Sequence, residues 1–188
     1  MTMMNLPDHL LTLAEGDELP EEGYRWAELV EGVLQVSPSP AFGHQLALSR
    51  LVITLGPVVQ DAGSVAITVM DVLIDRTFPA TVRQPDLSII DLAVIGADPK
   101  RLHASDVKLA VEIVSPGSGR RDRGTKLSEY AEAGIMSYWI LDIAGPAAVL
   151  DVYELDGTSY RLVRHAEGGT VDVERPFAVT LDLDALQA

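Results

Sequence analysis

The sequence predicts an α/β (α+β) domain, a mixed β-sheet flanked by helices, and three observations carry the layered architecture. Short apolar or alternating segments, bounded by glycine, proline and aspartate, recur along the chain as strands do. Two stretches, 44–59 and 121–133, space their apolar residues at a helical period instead. In chain order these make a hairpin, a helix, several strands, a helix and more strands, which indicates a mixed sheet covered by helices.

Each element has its own signal. The N-terminal stretch to Glu22, interrupted by Glu15, Gly16, Asp17, Glu18 and Pro20, predicts a short helix and an acidic loop. Residues 24–29 and 33–36 alternate around Glu31-Gly32, the pattern of an N-terminal β-hairpin with glycine in its turn. After SPSPAFG, the residues Leu46, Leu48, Leu51, Val52, Leu55 and Val59 predict the first substantial helix. Strands follow over 65–74, 87–90 and 92–95, then over Lys108–Val114, where Ser115-Pro116-Gly117 leaves the ladder. A helix from Arg121 to Ala133 stops at Gly134. C-terminal strands are expected over 137–141, 148–155 and 160–163, with Asp156-Gly157 as a turn and a weaker signal in the tail. The length of 188 residues and the absence of repeats fit a single domain over 1–188.

Composition narrows the chemistry. There is no cysteine, and the four histidines show no ligand spacing, so disulfides and thiolate zinc sites are excluded and any metal would sit on oxygen. No apolar run approaches the roughly 20 residues of a membrane helix, and MTMMNLPDHL has neither a basic start nor an apolar core, so the expectation is a cytoplasmic protein with no membrane partner. A net charge of −14 argues against nonspecific coating of nucleic acid. Half of the basic residues, however, fall between Lys100 and Lys126 with only Asp106, Glu112 and Asp122 among them. Arg120, Arg121 and Arg123 in that segment are candidates to face phosphate, and a solvated arginine-rich loop is the plainer alternative.

The most informative block is VEIVSPGSGRRDRGTKLSEYAEAGIMSYWILD, residues 111–142. Glu112 lies within an apolar run, Leu109 to Val114, that reads as a central strand. An unpaired ionised carboxylate there would cost roughly several kcal/mol, so it must be paired or bound to a cation. Asp86, after Pro85 at a strand start, is a second strand-associated carboxylate. Neighbouring strands that bring the two together would form a site for a hard divalent cation, magnesium or manganese. Such an ion polarises a phosphodiester and acidifies a bound water. Lys126, on the next helix, could reach the attacking water or the charge that develops on phosphorus.

At RQPDLSII (83–90) and LAVEIVSPGSGRRDRGTKLSEYAEAGIMSYWILD (109–142) the chain resembles the Uma-two family of restriction-endonuclease-like proteins, within the PD-(D/E)xK nuclease superfamily. AELVEGVL (27–34) and His44 extend the likeness, which covers about residues 24–155. The resemblance implies Asp86 and Glu112 as metal-binding carboxylates and the backbone carbonyl of Ile113 as a further ligand. It implies that Lys126 substitutes for the superfamily lysine, because the position two after Glu112 is Val114. Glu28 matches an early glutamate of the family, to complete the metal site or hold Lys126, unless it lies on the polar face of an edge strand. His44 is a candidate phosphate-orienting group or helix cap, and Ser115 a ligand donor or a strand terminator. Asp122 and Lys126, four apart, could form an ordinary surface ion pair. Tyr130 and Leu127 are expected to pack on the sheet, Tyr138, Trp139 and Ile140 in the core, and Asp71 and Asp75 at exposed strand ends.

The resulting expectation is a magnesium-dependent endonuclease hydrolysing DNA, with Asp86, Glu112, Lys126 and Glu28 as its catalytic set and a homodimer as its assembly. The alternatives are a nuclease-fold protein that binds nucleic acid or a protein partner without cutting, and a structural domain in which a basic residue neutralises Glu112.

Overall fold

A computed structural model describes residues 8–19, 26–97, 99–114 and 118–187. Helix α1 (Leu13–Asp17) is capped by Thr12, whose side chain accepts from the Glu15 backbone N–H. Strands β1 (Ala27–Val30) and β2 (Val33–Val36) then pair antiparallel with Val30 opposite Val33. Glu31 and Gly32 take φ of 48° and 75°, a two-residue turn whose twist suits the hairpin and whose second position favours glycine. The expected strand start at Tyr24 lies outside the described residues.

Helix α2 (Phe42–Asp61) runs two residues beyond the predicted span at each end. Its buried stripe is His44, Ala47, Leu48, Leu51, Leu55 and Val59. By length and a hydropathy of 1.2 it is long and apolar enough to cross a membrane, a test that a helix packed on a core also passes. The polar residues Gln45, Ser49 and Arg50 break the contiguous run, so only the average exposes the property.

The stretch predicted as one strand over 65–74 is two strands in two sheets, β3 (Ser64–Thr68) and β4 (Val72–Asp75). Val69 between them takes φ +54°, a left-handed conformation unfavourable to a β-branched residue, and there the chain changes sheet. Strand β5 (Thr81–Arg83) has no counterpart in the prediction, since three residues between Pro79 and Pro85 are too few to show alternation. Strand β6 (Leu87–Asp91) stops where Asp91 Oδ1 accepts the Ala93 backbone N–H at 2.9 Å. The strand expected over 92–95 is therefore a 3₁₀ helix, Leu92–Ala97.

After the short β7 (Leu102–His103), β8 (Val107–Val114) forms the predicted buried strand. The single helix expected over 121–133 is two: α3 (Gly119–Asp122) and α4 (Thr125–Glu132). At Gly124 between them, a Cβ would sit 2.9 Å from the Arg120 carbonyl oxygen, so the tight break requires glycine. Strands β9 (Ser137–Asp142), β10 (Val149–Asp156) and β11 (Ser159–Glu167) follow, then a hairpin, β12 (Thr170–Val173) and β13 (Val179–Asp182), and helix α5 (Leu183–Gln187).

The architecture is mixed α+β with more than one sheet flanked by helices. A six-stranded sheet runs β11-β10-β9-β8-β6-β3, and a five-stranded sheet runs β2-β1-β5-β4-β7. In the larger sheet β8 and β9 are the parallel pair, and α3 and α4 form the crossover that such a pair requires. Side-chain alternation then decides the site. Leu109, Val111 and Ile113 of β8 join the core beneath α2, with Leu51, Leu55 and Trp139. Ala110 and Val114 point to the opposite core, with Tyr130 and Tyr138. Glu112 shares that second face with Ala110 and Val114, so it looks toward α4.

Candidate active site

A cavity of about 510 Å³ lies between the sheets and is lined by Glu28, Asp86, Glu112, Asp122 and Lys126. Five of the sequence-predicted residues thus meet in one place, from β1, the start of β6, β8, α3 and α4. His44, Ile113 and Arg121 line it as well.

Asp86 is held from three sides. Its Oδ2 accepts the Ile113 backbone N–H at 2.7 Å and lies 3.1 Å from His44 Nε2. Its carbonyl accepts the Val69 backbone N–H at 3.2 Å, so the unusual conformation of Val69 fixes the Asp86 backbone. His44 is therefore a buried partner of Asp86, not a surface cap, and its Nδ1 has no hydrogen-bond partner among the described residues.

Glu112, only 5% exposed, receives Lys126 Nζ at 2.8 Å and the Tyr130 hydroxyl at 2.7 Å, both on Oε1. Burial, reinforced by Asp86, Asp122 and Glu28 against the opposing pull of Lys126, pushes its carboxyl up to about 8. Lys126 also lies 3.2 Å from Glu28 Oε1 and 4.0 Å from Asp122 Oδ1. Burial alone would lower the ammonium, but Glu112 and Glu28 hold it above its ordinary value, so it stays charged. The Asp122 and Lys126 pair is thus buried, because the break at Gly124 turns α3 into the cavity; it is not a surface pair.

Glu28 is buried inside the five-stranded sheet, where β1 lies between β2 and β5, and does not stand on an edge strand. Arg83 Nη1 donates to its Oε2 at 3.0 Å and the Gln84 backbone N–H to its Oε1 at 3.0 Å. Burial would raise Glu28, but Lys126 and Arg83 outweigh that and bring its carboxyl below the usual range. Arg83, 1% exposed, also makes a two-point bond to Glu129 on α4, at 2.7 and 2.8 Å. Asp122 is raised by burial although Ser118 donates to its Oδ2 at 2.6 Å.

Sequence reasoning missed Arg83, Glu129 and the hydroxyl of Tyr130. Arg83 carried a usable signal, a charge beside the buried Val82, of the kind that identified Glu112. Tyr130 does pack as expected and in addition bonds Glu112, while Tyr138 donates to the Asp122 carbonyl at 3.1 Å. Asp71 is half-buried and accepts from Gln84 Nε2 at 3.0 Å, so it is not an exposed strand end, whereas Asp75 is.

The arginine trio separates. Arg121 lines the cavity, Arg120 is exposed beside it, and Arg123 turns away to Asp142 at 3.0 Å and Asp151 at 3.5 Å. The candidate Ser115 lies outside the described residues.

Among the described residues no three histidine, aspartate or glutamate side chains converge as a ready cation cage. Magnesium does not need one, since one or two carboxylates with water and phosphate commonly hold it. Among the described residues the four carboxylates on the cavity wall are met by Lys126 and Arg121 in the lining and by Arg83 behind Glu28, and the candidate donors Asp86, Glu112 and the Ile113 carbonyl are all hard oxygen. The residues fit such an ion.

The layout of sheets and helices is that of a nuclease fold. A crystal structure of a "putative nuclease belonging to DUF820" from Anabaena variabilis is similar to it with a TM-score of 0.69 and 21% identity, over 94% of this chain and 97% of that one. The sequence is more specific: residues 13–185 match the Uma2 family, described as "Putative restriction endonuclease", and the chain belongs to that family. No curated relative matches the chain.

Proposed function

We propose that this chain is a cation-dependent endonuclease that hydrolyses DNA phosphodiesters at the cavity between its sheets. The observation that carries this reading is that Asp86, just ahead of β6, and Glu112 of β8 line one cavity with Lys126 bonded to Glu112. Magnesium or manganese held by Asp86 and Glu112, with the Ile113 carbonyl as a third donor, would polarise the phosphate and acidify a water.

The protein's own groups do the rest. The Ile113 N–H and His44 orient Asp86, and Lys126 and Tyr130 fix the rotamer of Glu112. Lys126 holds a fixed positive charge where the phosphoryl group would gain negative charge, in a site shielded from bulk water. Glu28 keeps the ammonium in place, and Arg83 ties Glu28 to Glu129 on the same helix as Lys126. Arg121 is placed at the cavity wall to receive a phosphate oxygen.

A second reading, a nuclease-fold protein that binds without cutting, draws support from Val114 at the superfamily lysine position and from Lys126 being already taken up by Glu28 and Glu112. Cleavage assays on plasmid and oligonucleotide DNA with magnesium or manganese separate the two. The proposal expects cleavage that falls by about 100-fold or more in Asp86→Asn. Intact DNA with the wild-type protein under both ions favours the second reading, and cleavage unchanged by Asp86→Asn removes the site from the chemistry.

A further inference from the structure

The cavity wall is not all carboxylate. Trp26, just ahead of β1, lines it together with Pro38, Pro40 and Ala41 from the segment between β2 and α2. Trp26 is half-buried, and Phe42, next to Ala41 at the first helical position of α2, is 83% exposed. An aromatic and proline surface therefore adjoins the carboxylates, continuous with the site where the scissile phosphate would sit.

Among the described residues the cations available around it are few. Arg83 and Lys126 are held by Glu28, Glu129 and Glu112, and Arg123 by Asp142 and Asp151. Further along the segment that looked basic, Lys100 and Arg101 pair with Asp17, and Lys108 pairs with Asp91. At the cavity this leaves, among the described residues, Arg121 and its exposed neighbour Arg120, on a chain of net charge −14. Proteins that grip a duplex through its backbone commonly neutralise about six to ten phosphates. Single strands are held differently, with bases stacked on aromatic side chains beside a modest cationic contact. A cavity of about 510 Å³ has the capacity of a small-molecule pocket and can take a nucleotide, not the body of a duplex.

From this we infer that the site takes single-stranded or unpaired DNA, with the base next to the scissile phosphate stacked on Trp26. The inference rests on the nuclease reading and specifies its substrate. It makes Trp26 a substrate-binding residue in contact with a nucleobase, and it explains how an acidic chain holds a polyanion with two arginines.

The test uses the full chain carrying Asp86→Asn, so that binding is read without cleavage. Oligothymidylate, a hairpin with an unpaired tail and a blunt duplex, each end-labelled with fluorescein, are titrated by fluorescence anisotropy, which also reads the Trp26 variants, and tryptophan fluorescence is followed in parallel where Trp26 is present. Trp139 is fully buried in the core, so quenching reports on Trp26. The inference expects the single strand and the tailed hairpin to bind at least about 10-fold tighter than the blunt duplex, with affinity that falls only shallowly with salt. Adding Trp26→Phe should retain most affinity and Trp26→Ala should lose about 5- to 150-fold, the range of one base–aromatic stack. Equal or tighter duplex binding, or single-strand affinity indifferent to Trp26→Ala, overturns the inference and leaves the nuclease reading standing. Single-strand binding by a wild-type protein that cuts nothing upholds the inference while the hydrolysis reading fails. Absence of binding to every DNA overturns both.

Discussion

Replacing Lys126 by methionine keeps most of the side-chain volume and removes only the charge, so its cost is electrostatic. The ammonium lies 2.8 Å from Glu112, 3.2 Å from Glu28 and 4.0 Å from Asp122, with lysine and all three carboxylates buried. Removing one partner of a buried ion pair costs about 3–5 kcal/mol, because the other is left uncompensated. In a chain of this length each kcal/mol moves the melting temperature by about 2–4 °C, so Lys126→Met should melt roughly 6–20 °C lower. The deficit has a defined pH dependence. Glu112 titrates near 8 in the folded chain against an ordinary 4.5, so its protonated form stabilises the fold at low pH, and that stabilisation is lost as pH rises from about 4.5 to 8. Without the ammonium the carboxyl is pushed higher still, so the two chains lose stability in parallel up to about pH 8 and separate above it, and the variant's deficit should be smaller at about pH 6 than at about pH 9. Lys126 itself, raised above its ordinary value, remains charged throughout this window and adds no slope. Urea and thermal denaturation at both pH values measure the effect, and Glu112→Gln/Lys126→Met should recover part of it. A loss under about 1 kcal/mol at the higher pH, or one that does not change with pH, refutes the buried-pair account.

Two further outcomes follow from the same geometry. Tyr130→Phe removes a 2.7 Å bond to a buried carboxylate without opening a cavity, and urea denaturation should show a loss of about 1.5–3 kcal/mol; an unchanged midpoint would mean that the bond is absent in solution. Arg121→Ala should weaken DNA binding and flatten its salt dependence, whereas Arg123→Ala, whose side chain faces Asp142 and Asp151, should alter neither. Equal effects of the two substitutions in a salt-series binding assay would contradict the placement of Arg121 at the cavity.

What was legible in the sequence divides by the range of the forces involved. Glu112 stood out because a charge inside a run such as Leu109–Val114 has few physical explanations, and all of them require partners. Lys126 was assigned to the site by its place on the next helix and by the family resemblance, and the parallel crossover packs that helix back on the strand it left. The hairpin turn at Glu31-Gly32 and the helix stripe from Leu48 to Val59 are local signals, and both elements form. Other features depend on contacts distant in sequence. Arg83 joins Glu28 and Glu129 across 55 and 46 residues, and no local pattern encodes that. Strand β5 exists because β1 and β4 pair with it, not because TVR prefers a strand. The cluster of basic residues from 100 to 126 looked like one surface in the sequence, but folding directs its members to different acidic partners. The break at Gly124 was hidden because the apolar period of the helix continues across it.

The central claim, that Asp86 and Glu112 together bind a divalent cation, is tested most directly by calorimetric titration of manganese into the wild-type chain and into Asp86→Ala/Glu112→Ala, with the fold of each checked by urea denaturation. The account predicts saturable binding in the wild type, accompanied near neutral pH by proton release as the ion displaces the proton held by Glu112, and neither in the folded variant. Equal binding by both proteins, or none by the wild type even with DNA present, would contradict it.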